Sequence, residues 1–112
     1  MARTNAETRY QALKENLLTV GYIRPGSLVR RFMPCGKKGC RCQGDPPILH
    51  GPYYQWTRKV RGKTVTIRLS QAQAQQCDDW LRNHRRFKKI VRQMETLSLK
   101  ETDRILRMIS MG

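Results

Sequence analysis

Three cysteines stand within eight residues, in the run Cys35-Gly-Lys-Lys-Gly-Cys40-Arg-Cys42, and no other feature restricts the fold as much. A chain of 112 residues buries only about two-thirds of its unfolded surface, so its stability margin is thin and a metal staple carries weight. Zinc takes four ligands at the corners of a tetrahedron. Cys35, Cys40 and Cys42 offer three of them, and Gly36 and Gly39 let the backbone fold back so that the sulfurs converge. The flanking Lys37, Lys38 and Arg41 favour thiolate over thiol and offset its charge. His50, at the far end of the same loop, is the expected fourth ligand for Zn2+. Cys77 is the rival, although its place on a helical seam suits a core residue. The C-x4-C-x-C spacing is neither the paired C-x2-C of common zinc sites nor the C-x4-C-x2-C of plant-type iron–sulfur proteins. Thiols that bind nothing are the plain alternative. A closed site of this kind is structural rather than catalytic.

Around the cysteines, residues 24 to 68 carry eleven Lys/Arg and a single acid, Asp45. The whole chain has 23 basic and 8 acidic residues, a net charge of +15. Such an excess destabilises a small fold through self-repulsion, and a phosphate-bearing partner relieves it. A second basic zone, residues 82 to 92, holds Arg82, Arg85, Arg86, Lys88, Lys89 and Arg92 with no acid. The amino terminus lacks the apolar stretch of a signal peptide and no run approaches a membrane span. The expected location is the cytoplasm, where clustered thiols stay reduced and bind metal more often than they pair.

The pattern of apolar residues predicts an α+β fold in a single domain over residues 1–112. Tyr10, Leu13, Leu17 and Val20 recur at helical steps, giving an N-terminal helix over 4–20 with Gly21 as its C-cap. Residues 28–33 read as a short strand, closed by Pro34, and the Cys-rich loop follows over 35–51. Residues 53–60 and 63–69 read as a hairpin turning at Arg61-Gly62. A small antiparallel sheet of about three strands follows, with Val65, Ile67 and Leu69 on its buried face. Ser70 is the expected N-cap of a long basic helix. Cys77, Trp80, His84, Phe87, Val91 and Met94 trace one seam along it, available to the first helix or to a second copy as a homodimer interface. Ser98-Leu-Lys-Glu101 has the form of a capping box and predicts a separate short final helix.

Arg24-Pro-Gly-Ser-Leu-Val-Arg-Arg-Phe32, Cys35-Gly-Lys-Lys-Gly-Cys-Arg-Cys42 and His50-Gly-Pro-Tyr-Tyr54, with the basic hairpin behind them, resemble a family of small uncharacterised bacterial and archaeal proteins. That family has such a Cys-rich loop followed by His-Gly-Pro-Tyr, and its members are often encoded in or near mobile elements. The similarity spans about residues 24–95. It implies that Cys35, Cys40, Cys42 and His50 act together, and it points to DNA transactions of mobile or defence elements.

The candidate nucleic-acid contacts are Arg30, Arg31, Lys37, Lys38, Arg41, Arg58, Lys59, Arg61, Lys63 and Arg68 around the sheet and loop. Arg82, Arg85, Arg86, Lys89 and Arg92 form a stripe on the long helix. The Arg61-Gly62-Lys63 tip is either a cationic probe for a groove or an ordinary turn. Tyr53, Tyr54 and Trp56 either stack on bases or fill the core. No finger helix or RNA-binding sheet motif is recognisable, so contact is expected to be led by shape and charge. Metal-assisted hydrolysis needs clustered carboxylates, and the only adjacent acids are Asp78-Asp79. The expectation is therefore a non-enzymatic accessory protein that binds DNA in preference to RNA. The alternatives are an interaction subunit of a larger nucleoprotein complex and, less favoured, a metal-dependent nuclease. A membrane partner is not expected.

Overall fold

A computed structural model describes residues 4–109. Two helices and three strands follow in the order α1 (Asn5–Leu18), β1 (Ser27–Met33), β2 (His50–Val60), β3 (Lys63–Leu69) and α2 (Gln71–Met108), with a single turn of 3-10 helix at Arg41–Gln43. The architecture is α+β, with the cysteine cluster in the strand region. The chain packs as two units, one of residues 24–81 and one that joins the N-terminal stretch to the chain beyond Leu81.

In the first unit the sheet is antiparallel in the order β1-β2-β3. Leu28 faces Trp56, and Trp56 faces Ile67 across the next pair. Side chains alternate along a strand, so these residues share one face. Cys77 and Leu81 from α2 pack onto Trp56 there, with Leu28 and Leu69 at the margin. Trp56 is the hub: its indole N–H donates to the Pro25 carbonyl at 2.8 Å, and the Arg24 guanidinium lies 3.9 Å from the ring centroid. Its place in the core removes it from any role in stacking on bases. Val65 and Ile67 depart from the expected burial, being 38% and 44% exposed. The α2 side chains in this core reach the centre of the sheet and Leu69, and leave the rest of β3 half covered.

The hairpin closes as the sequence predicts. Val60 pairs with Lys63, and Arg61 and Gly62 take φ of 52° and 80°, the left-handed pair of a type I′ turn that suits the twist of the flanking strands.

In the second unit, Thr4, the first residue of the expected helix, is the N-cap of α1. Its side chain accepts from the Glu7 N–H while Glu7 reaches back to the Thr4 N–H. The helix ends at Thr19, not at Gly21, because Thr19 and Val20 already donate to Asn16 and Leu17. Arg86 of α2 secures that end, donating to the Asn16 carbonyl at 3.2 Å and to the Thr19 hydroxyl at 2.6 Å. The amino end of α1 shares a cleft with Leu97, Lys100, Glu101 and Arg104, so the two helices run antiparallel.

Helix α2 begins at the expected Ser70 cap, whose hydroxyl accepts from the Gln73 N–H at 3.1 Å. It does not stop at Ser98, and the separate final helix is not formed. Neither Gly nor Pro occurs between residues 71 and 108, so nothing halts propagation there. Glu101 instead binds Arg104 within the helix at 3.0 Å. Every residue of the expected seam, Cys77, Trp80, His84, Phe87, Val91 and Met94, is buried or half-buried. Ala74, Cys77 and Leu81 are buried early in α2, and Ile90 is buried further on, with Phe87, Met94 and Leu97 half-buried near it. No helix among the described residues is long and apolar enough to cross a membrane.

Candidate metal centre

β1 and β2 are joined by the loop 34–49, and both ends of that loop contribute donors. Met33 pairs with His50 across a register shift that follows Arg31. Thus His50 belongs to the first position of β2 rather than to the loop. The next residue, Gly51, has φ 139°, and a Cβ there would lie 2.7 Å from the Arg31 carbonyl oxygen. Only glycine allows β2 to start this close to β1. Cys35 follows β1 by two residues, Cys40 caps the 3-10 turn, and Cys42 lies within it. The Arg41 carbonyl accepts from both Gly44 and Ile48, and Gln43 donates to the Cys35 carbonyl at 3.3 Å, so the return limb is folded back on the turn.

The outcome is one cluster. The Sγ atoms of Cys35, Cys40 and Cys42 and a ring nitrogen of His50 all lie within 4.8 Å of one another. Cys40 Sγ is 2.9 Å from His50 Nε2, and Cys35 Sγ is 3.5 Å from Cys42 Sγ. With metal–sulfur and metal–nitrogen bonds near 2.3 and 2.1 Å, a tetrahedral zinc site has donor–donor edges of about 3.5–3.8 Å. The Cys35–Cys42 edge matches that spacing and the Cys40–His50 edge is shorter; the four residues are close enough together that they could hold a metal ion. Cys77 does not join them; it is 3% exposed within the sheet core.

The electrostatics prepare the cluster for a cation. Cys40 is held down to about 6, first by the Cys42 backbone N–H and then by His50 and the neighbouring sulfurs. The flanking Lys37, Lys38 and Arg41 are exposed, and hydrogen bonds, rather than these cations, favour the thiolate. Cys42 receives the Cys35 N–H at 3.2 Å, which pulls its thiol down. Desolvation and the shared protons of Cys35 and Cys40 outweigh that bond, and the net shift is upward. The cluster thus favours a thiolate at Cys40 and disfavours one at Cys42. A cation held by these residues would replace the shared protons and stabilise both thiolates.

A family model described as a domain of unknown function (DUF6788) matches residues 4–83. The chain belongs to this family. The matched DUF6788 segment takes in α1, the three strands, all four donors and α2 as far as Asn83; the rest of α2 lies beyond it. No curated protein and no solved structure matches the chain.

The basic residues singled out from the sequence divide by face. Arg31, Lys59 and Arg68 lie on the side of the sheet away from Trp56, as their registers require. Arg30 and Arg58 lie on the Trp56 side at its margins, over the rings of Phe32 and Trp56 at 5.3 and 5.6 Å. Lys37, Lys38 and Arg41 stand between the cysteine donors in the chain and are exposed, and Arg61 and Lys63 form the exposed hairpin tip. On α2, Arg82 and Arg85 are exposed, whereas Arg86 is committed to the end of α1. Lys89 and Arg92 line a cleft between α1 and α2, together with Arg9 and Lys100. Sequence reasoning passed over those last two. Arg9 was masked by the nearly balanced charge of the amino terminus, and Lys100 lies outside the basic run; only the antiparallel pairing brings them beside Lys89 and Arg92.

Proposed function

We propose that this protein is a non-enzymatic, zinc-stapled binder of nucleic acid, and of DNA in preference to RNA. The observation that carries the reading is the convergence of three sulfurs and one imidazole nitrogen inside a segment with eleven cations and one acid. Thiolate-rich tetrahedral donor sets suit zinc. Four protein ligands leave no open position for water or substrate, which assigns the ion a structural role. Cys35, Cys40, Cys42 and His50 would hold it, and it would supply a rigid link between the end of β1 and the start of β2.

The phosphate contacts in this reading are the cations of the hairpin and loop and the exposed stripe on α2, with Arg9 and Lys100 added and Arg86 withdrawn. The motif resemblance to proteins encoded near mobile elements favours DNA as the polyanion. Such a protein would act as an accessory that grips DNA, alone or within a larger nucleoprotein complex.

Elemental analysis of purified protein, followed by salt-titrated binding to duplex DNA, single-stranded DNA and RNA, tests both halves. One zinc per chain is expected. Affinity should fall roughly 10³-fold between 50 and 200 mM salt if about six phosphates are neutralised. Failure to bind any of the three polymers at low salt refutes the nucleic-acid half and favours an interaction module. Cleavage of any of them under varied divalent ions refutes the non-enzymatic half.

A further inference from the structure

We propose that the outer face of the sheet reads base edges in the major groove of duplex DNA, with Arg31, Gln55 and Arg68 as the reading residues. This rests on the nucleic-acid reading above and adds sequence recognition to it. The register places one of the three on each strand. Gln55 of β2 faces Arg68 of β3, and Arg31 of β1 faces Tyr53, the neighbour of Gln55 on the same side of β2. The Arg68 guanidinium lies 4.1 Å from the centroid of the Tyr53 ring, so a long side chain is held in one plane before any ligand arrives. Arginine and glutamine are the residue types whose paired polar atoms match guanine and adenine edges in that groove.

The dimensions agree with this occupant. The major groove of B-DNA, about 12 Å wide, admits a two-stranded ribbon; β2 and β3 form one with Gln55 paired to Arg68, and β1 sets the long Arg31 side chain beside it. The charge also agrees. The three strands carry six Lys/Arg and no acid, and on the outer face Lys59 stands further along β2 from Gln55, placed for a phosphate at the groove wall. Two other ligands fit less well. The major groove of A-form RNA is too narrow for side chains to read. Unspecific single-strand binding needs successive aromatic platforms, and the outer face offers only Tyr53, already covered by Arg68.

The test is selection of bound sequences from a randomised duplex DNA library, with the metal-loaded protein. An enriched motif is expected. Arg68→Ala and Gln55→Ala should each relax preference at one position by roughly tenfold or more, while Lys59→Ala weakens binding evenly across sequences. Circular dichroism and metal content confirm that each variant folds, and Arg31→Ala provides a third independent position. Binding without any enriched motif overturns this inference and leaves the phosphate-binding reading intact. A motif unchanged in all three variants, or preference for single strands over duplex, overturns it as well. Failure to bind nucleic acid at all removes both readings together.

Discussion

Removing the metal is expected to cost more than the 34–49 loop can supply from its own contacts. Ordering backbone costs about 1–2 kcal/mol per residue; even at the lower figure, the sixteen residues from Pro34 to Leu49 require about 16 kcal/mol. Within that stretch only Cys42 is buried, so hydrophobic burial contributes little. Apart from the contacts of the Cys40 sulfur and the Cys35–Cys42 sulfur pair, which belong to the donor cluster itself, five hydrogen bonds hold it: Cys35 N–H to the Cys42 sulfur, the Gln43 side chain to the Cys35 carbonyl, and three main-chain bonds to Cys40 and Arg41. At about 1 kcal/mol each they return roughly 5 kcal/mol. The remaining deficit of about 11 kcal/mol falls within the range of about 10–16 kcal/mol for structural zinc. Exhaustive chelation, or Cys40→Ser, should therefore unravel the loop and release the Met33–His50 end of the sheet. The Trp56 core is then left to support the unit alone. Amide hydrogen exchange over residues 28–69, read before and after chelation, measures this. Unchanged protection at residues 34–50, in protein shown by elemental analysis to be metal-free, would refute the argument.

Other expectations follow from single side chains. Gly51→Ala places a Cβ against the Arg31 carbonyl at a left-handed φ and should destabilise the first unit by roughly 1–3 kcal/mol, with weaker metal retention because His50 is adjacent; thermal melts and a competing chelator report the two effects. Arg86→Ala removes the bonds to Asn16 and Thr19 and the cation at the α1 carboxyl end. It should lower stability by about 1–2 kcal/mol in denaturant titration without altering metal content. Burial pushes the Cys77 thiol above its ordinary 9.0, against a partial pull from Arg24. The folded chain thus keeps a proton that the unfolded chain loses, so stability should fall as pH rises beyond about 9.0. Cys77→Ala should abolish that part of the slope in pH-dependent melting.

Comparison of the sequence with the structure shows where local information ends. The α+β order, the Arg61-Gly62 turn and the Ser70 cap were legible because each depends on residues within a few positions of one another. The helix prediction failed at Ser98 for a related reason: a capping box has the same four-residue form whether or not the helix has been told to stop, and no Gly or Pro precedes it. The candidate site divides in the same way. Three thiols within eight residues announce a cluster, but the choice between His50 and Cys77 depends on which of them the sheet delivers. The register that pairs Met33 with His50 brings the imidazole to the sulfurs. The same register places Gln55 beside Arg68 and sets Tyr53 under its guanidinium.

Composition and short-range pattern by themselves thus determined the excess of positive charge, the element order and three of the four candidate donors, because these properties need no distant partner. The tertiary structure decided the fourth donor, the commitment of Arg86 to a helix end, the cleft that joins Arg9 to Lys100 and the face on which each sheet cation stands. Each of these depends on residues far apart in the chain meeting in space, and the rise and period of helices and strands leave that meeting open until they pack.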